Sequence, residues 1–172
     1  MSKTFLQFAI LFIALALLQV LIFNHLVLFN VAVCFIFIFL IFRLPLSLST
    51  NLLLTISFLL GLTVDVFSDT PGLNALACLI IATVKRPVFF AYVSKDDKTK
   101  DITPSIRSIG WAAYSKYALT MSAIFCIIVF IIEFLNFADI TQILLMTASS
   151  TLFTFPVILG ADSIMDIKEE RH

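Results

Sequence analysis

Four long apolar runs, residues 5–23, 46–62, 118–132 and 143–159, dominate the chain, and two shorter ones, 27–42 and 73–84, fill the gaps between them. Runs of this kind predict membrane-spanning helices, because ~20 residues of helix cover a ~30 Å hydrocarbon core. Extended to the nearest turn signals, they give six helices, over residues 5–23, 27–42, 46–66, 71–86, 109–135 and 141–164. The expected fold is an all-α integral membrane protein with six transmembrane helices in one domain, residues 1–172.

Charge then orients this scheme. With Met1 inside, the inner segments 1–3, 43–45, 85–117 and 167–172 hold all eleven Lys and Arg residues, and the outer turns 24–26, 67–72 and 136–141 hold none. The positive-inside rule predicts this distribution for a protein with both termini in the cytoplasm. Composition agrees: 61% of the 172 residues are hydrophobic and 13% charged, with a mean hydropathy of +1.11. A soluble domain is about half apolar and about a quarter charged. Formal net charge is zero, and the basic residues are interspersed with acids, so no nucleic-acid-binding face is expected. Ala14-Leu15-Ala16 mimics a signal cleavage site, but the apolar run continues to Phe23, so the first helix is read as uncleaved. Cys34, Cys78 and Cys126 lie in apolar runs without a CxxC or Cys/His cluster, as small packing residues would.

Individual helices carry finer signals. His25 is expected at an interfacial turn, and the Phe- and Ile-rich helix 27–42 to face lipid over much of its surface. Arg43 is expected to snorkel, with Pro45 opening the next helix. Thr50, Ser57, Gly61 and Asp65 recur at spacings of seven, four and four, which places them on one helix face, and Asn74, Cys78 and Ala82 repeat every four residues on the next. Asp65 has two readings. Asp69 or Thr70 suits an N-cap and Pro71 a first helical position, so free amides there could receive the Asp65 carboxylate. Alternatively, Asp65 is a plain interfacial acid exposed to water.

Lys85 and Arg86 are expected to snorkel and Pro87 to break or kink the helix, whose expected span closes at residue 86, with 88–93 an interfacial continuation. Residues 94–108 read as a solvated inner loop of mixed charge. Trp111, Tyr114 and Tyr117 suggest an aromatic belt, Glu133 an acid reaching the outer interface, and Thr147, Ser150, Thr151 and Thr154 a small polar face beside a kink at Pro156. Depth counting places Lys116 and Asp162 at similar distances from the outer turn, within ~2 Å, and so predicts an ion pair between them.

No Walker A, GxGxxG, HExxH or GxSxG motif is present, no intramembrane carboxylates pair closely in sequence, and no internal repeat is evident. No catalytic residue, metal site or cofactor is expected.

Gly61-Leu62-Thr63-Val64-Asp65, followed by Gly72-Leu73-Asn74-Ala75-Leu76, resembles the characteristic segment of the rod shape-determining protein MreD family. In that family one helix ends in Gly-Leu-x-x-Asp and the next opens with Gly-hydrophobic-x-Ala-Leu. The resemblance extends to size, helix layout, Pro45, Glu133 and Pro156. It implies a non-enzymatic inner-membrane component of the bacterial cell-elongation machinery, working with an MreC-like protein, MreB, RodA and a class B penicillin-binding protein. It also implies a fold similar to the substrate-binding component of energy-coupling-factor transporters. Gly61, Asp65 and Gly72 carry over as motif positions, none of them catalytic.

That similarity supplies a rival, a vitamin-binding transporter subunit. Such subunits dock through Ala-x-x-x-Ala in the first helix, whereas Ala9, Ala14 and Ala16 lack that spacing. Asp65, Asp69, Asn74 and Glu133 would be its outer-mouth polar groups. A membrane enzyme acting on lipid-linked substrates would have only Asp65 and Glu133 to use.

Overall fold

The computed structural model describes residues 2–24, 27–28, 32–93, 102–134 and 140–170. The expected turn at His25, the loop residues 94–101 and the turn residues 136–139 lie outside them. Helix α1, Ser2–Leu18, passes into a π-helical turn, Gln19–Phe23. Strands β1, Val27–Leu28, and β2, Ala32–Val33, pair antiparallel. A 3-10 turn, Ile36–Ile38, leads into the short helix α2, Phe39–Arg43. Four long helices follow: α3, Thr50–Ser68; α4, Leu73–Tyr92; α6, Trp111–Glu133; and α7, Ile140–Glu170, with the single-turn α5, Ile106–Ile109, before α6. The long helices pack in series, α3 on α4, α4 on α6 and α6 on α7. Among the described residues five helices are long and apolar enough to cross a membrane: Leu6–Phe23, Thr50–Ser68, Leu73–Tyr92, Trp111–Glu133 and Ile140–Met165.

The helix expected over residues 27–42 does not form. In its place β2, the 3-10 turn and α2 run through the middle of the bundle. Phe37, Ile38, Phe39, Ile41 and Phe42 are wholly buried, so the expected lipid-facing surface is instead core. Irregular backbone is tolerated in an apolar setting only where protein satisfies its polar groups. Here α7 and the π-helical turn after α1 do so. Ser150 Oγ accepts from Val33 N at 3.0 Å and Thr154 Oγ1 from Phe35 N at 3.1 Å. Gln19 Nε2 donates to the Cys34 carbonyl at 2.9 Å. The side chains lock against α6 edge-to-face, with Phe35 and Phe37 on Phe125 at 5.1 and 5.6 Å and Phe42 on Tyr117 at 5.8 Å.

Two boundaries also shift. Pro87 lies inside α4, which continues to Tyr92 rather than ending at residue 86. A proline is tolerated inside such a helix when neighbouring groups take up the freed carbonyl. Helix α7 likewise passes through Pro156 and reaches Glu170 instead of stopping near residue 164.

Candidate functional site

Polar groups gather at two opposite ends of the bundle. At the end where α3 hands over to α4, the turn is built on two left-handed residues, Asp69 at φ 53° and Gly72 at φ 81°. Gly72 is the N-cap of α4, one residue beyond Pro71, and has no side chain to cap with. The cap comes from the preceding helix. Asp65 Oδ1 accepts from Asn74 N at 2.9 Å and Oδ2 from Ala75 N at 2.8 Å. Thr70 Oγ1 at 2.6 Å and Asn74 Nδ2 at 3.0 Å also donate to Oδ1. A carboxylate on free amides at a positive helix end is a favourable arrangement. Of the two readings of Asp65, this geometry is the amide-bound one, and the residue is buried.

Gly61 is one turn away on the same face. A Cβ there would lie 2.5 Å from Ala75 Cα and 2.6 Å from the Asn74 carbonyl oxygen. The three motif positions therefore act together: Gly61 lets α4 approach, Asp65 caps it, and Gly72 supplies the turn.

Beside this clasp opens a cavity of about 570 Å3 between the π-helical turn after α1, β2, α3, α4, α6 and α7. Its polar wall includes Gln19, Asn24, Asn74 and Thr70, with the acids Asp69 and Glu133 exposed at the rim. Phe35, Phe67, Phe130 and Phe134 supply apolar surface. Of the four groups expected at such a mouth, Asp69, Asn74 and Glu133 line the cavity, while Asp65 is turned into the clasp and is not part of its wall; Gln19 and Asn24 were not expected there. Gln19 Nε2 holds Asn24 Oδ1 at 3.0 Å, and Asn24 Nδ2 donates to Ser68 Oγ at 2.6 Å, tying α1 to α3. A glutamine followed five residues later by an asparagine at the end of an apolar run was the available signal.

The opposite end is cationic. Asp162 pairs with Arg43, Oδ1 to Nη1 at 2.6 Å, and not with Lys116. Asp162 Oδ2 also accepts from Ile106 N at 2.7 Å. The expected Lys116–Asp162 pair fails on rotation, not depth. Tyr114, Tyr117 and Ala118 mark the buried face of α6, and Lys116 projects from the exposed side. Arg43 and Lys85 do not snorkel outward as expected. Both are buried, and Lys85 Nζ donates to the Leu44 carbonyl. Arg86 Nη2 donates to the carbonyls of Leu48 at 2.6 Å and Leu46 at 3.0 Å. These contacts fix the chain as it leaves α2 and turns into α3. Tyr114 and Tyr117, expected in an interfacial belt, are core residues with no exposed surface.

Among the described residues no group of three or more His, Cys, Asp or Glu side chains could hold a metal ion. The three cysteines are free and buried. Fold and composition together define a helical protein with five helices of membrane-spanning length and apolarity. No family model, curated protein or solved structure matches the chain.

Proposed function

We propose that the chain is a non-enzymatic component of the bacterial cell-elongation machinery in the inner membrane, of the MreD type. In that role it acts with an MreC-like protein, MreB, RodA and a class B penicillin-binding protein. The observation that carries this is the clasp: the residues of the family-like motif, Gly61, Asp65 and Gly72 with Asn74 and Ala75, form one interlocked unit instead of scattered resemblances. The cationic end, with Arg43, Lys85 and Arg86, faces the cytoplasm by the positive-inside rule. Depletion in the native bacterium is the test. Rods that round up support the role; normal shape on depletion overturns it. Co-purification with an MreC-like protein is the expected companion result.

A second reading is favoured by the cavity of about 570 Å3, which lies in the range of small-molecule sites, ~300–1,000 Å3. In that reading the chain is the vitamin-binding membrane subunit of an energy-coupling-factor type transporter. Vitamin auxotrophy on depletion, with cell shape preserved, is its distinguishing outcome.

A further inference from the structure

Two residues that line the cavity beside the clasp are also among the most exposed apolar side chains of the bundle: Leu21 is 68% and Phe67 63% exposed. Leu21 lies in the π-helical turn and Phe67 in the last turn of α3, beside the exposed Ile22 and Val66. Leu21 is 18 residues from Lys3, or ~27 Å of helix. With Lys3 at the inner boundary, it lies just under the outer edge of a ~30 Å hydrocarbon core. The cavity wall is therefore continuous here with the lipid-facing surface, and a side mouth opens between the π-helical turn and α3 into the outer leaflet. Behind it Phe35 of the central segment, Val129 and Phe130 of α6 and Met146 of α7 supply apolar wall. A cavity open to hydrocarbon that stayed empty would forfeit the dispersion contacts of its lining.

Two unspent hydrogen-bond donors stand at this mouth. Asn24 Oδ1 accepts from Gln19 Nε2 at 3.0 Å, which turns Asn24 Nδ2 toward Ser68 Oγ at 2.6 Å. That bond uses one of the two Nδ2 hydrogens. Ser68 Oγ is its acceptor, and the hydroxyl's own hydrogen meets no acceptor among the described residues. Both residues line the cavity and both are half-buried, within reach of a ligand. No Lys or Arg is among the described lining residues, and the rim acids Asp69 and Glu133 repel a phosphate or a carboxylate. A neutral carbonyl oxygen accepts from both donors and needs no counter-ion.

We propose that the cavity houses one acyl chain of an outer-leaflet lipid, which enters sideways between the π-helical turn and α3. The chain lies against Phe35, Phe130 and Met146, and its ester carbonyl accepts from Asn24 Nδ2 and Ser68 Oγ. The headgroup stays outside, at the level of Asp69 and Glu133. The proposal rests on the helices spanning a bilayer and on neither cellular role. An empty cavity leaves the depletion phenotype as it was, and normal shape on depletion leaves the bound chain in place.

The test uses the full chain in nanodiscs of dioleoyl phosphatidylcholine, with a trace of phosphatidylcholine whose ester-linked chain carries a mid-chain diazirine. After illumination, peptide mass spectrometry locates the adducts. They are expected on Val129, Phe130 and Met146, besides those on the lipid face of α7 at Leu152, which is 74% exposed. In a matrix of the diether analogue, whose lipids lack ester carbonyls, the probe should gain in the cavity relative to Leu152 by roughly fivefold, the effect of about one neutral hydrogen bond. Asn24→Asp with Ser68→Ala removes every donor at the mouth but keeps the acceptor for Gln19, and should abolish that gain. Met146→Trp, which fills the cavity, should remove the cavity adducts and keep those at Leu152. Adducts confined to the outer faces of the helices, as an aqueous ligand or an empty cavity would give, overturn the proposal. So does an equal cavity-to-Leu152 ratio in the two matrices, or a gain that survives in the double variant.

Discussion

Arg43 and Asp162 lie 119 residues apart in sequence and meet at 2.6 Å, with both side chains shut off from solvent. The pair joins the exit of the central segment to the far half of α7, so neither end can move without uncovering a charge. Removing one partner leaves the other buried without this counter-charge, and breaking a buried ion pair typically costs about 3–5 kcal/mol. Arg43→Leu and Asp162→Leu should each lower the melting temperature of the detergent-solubilised protein sharply. The double variant should recover part of the loss, because a paired apolar replacement removes both desolvation terms. A double variant less stable than either single one would contradict this account.

Asp65 should behave as a structural cap rather than an exposed contact. Its carboxylate takes four donors, two of them backbone amides of α4. Hydrogen bonds to a charged group contribute about 1.5–3 kcal/mol each before coupling is considered. Asp65→Ala is expected to destabilise by about 3 kcal/mol, and Thr70→Val, which removes one of the four donors, by about 1 kcal/mol. Differential scanning of the purified variants would rank them. If partner assembly is also lost in Asp65→Ala, the cause is the altered helix pair, since the native side chain is buried.

The two motif glycines separate by mechanism. At Gly61 a methyl group would run into α4 backbone at 2.5 Å, whereas at Gly72 it would meet nothing within 4 Å. Gly61→Ala must push two helices apart, an overpacking cost of about 3 kcal/mol. Gly72→Ala carries only the left-handed backbone penalty at φ 81°, about 1–2 kcal/mol. Chemical denaturation should therefore find Gly61→Ala the more damaging of the two, and the reverse order would show that the helices do not touch there.

How much of this was legible in the chain follows from what hydropathy can and cannot encode. The runs behind α1, α3, α6 and α7 were readable because each is both long and continuous, and the shorter run behind α4 because turn residues before it and Lys85-Arg86 after it marked its ends. Residues 27–42 were misread because lipid and protein interior are equally apolar, so a run such as Phe37–Phe42 looks the same against either. The stripe Thr147, Ser150, Thr151 and Thr154 was visible as a polar face. Its use by Ser150 and Thr154, accepting from the backbone of Val33 and Phe35, needed the fold. Asp65 and its amides are near in sequence, so turn chemistry alone brought them together. Arg43 and Asp162 are distant, and nothing local to either residue names the other.

Lys85 offers the sharpest remaining test of the energetics. Its side chain has no exposed surface, and its ammonium donates to the Leu44 carbonyl, with no acid among its described partners. Burying an ammonium costs several kcal/mol, and attraction to an opposite charge ordinarily offsets this. A single carbonyl returns less, about 1.5–3 kcal/mol. Lys85→Met keeps the length and apolar stem and removes the charge. It exposes the loss of only one acceptor's partner, about 1 kcal/mol. The substitution should therefore leave thermal stability unchanged or raise the melting temperature by a few degrees, roughly 2–4 °C per kcal/mol for a chain of this size. A marked drop would mean that the ammonium has a compensating partner in the folded protein, and the turn between α2 and α3 would then depend on that charge.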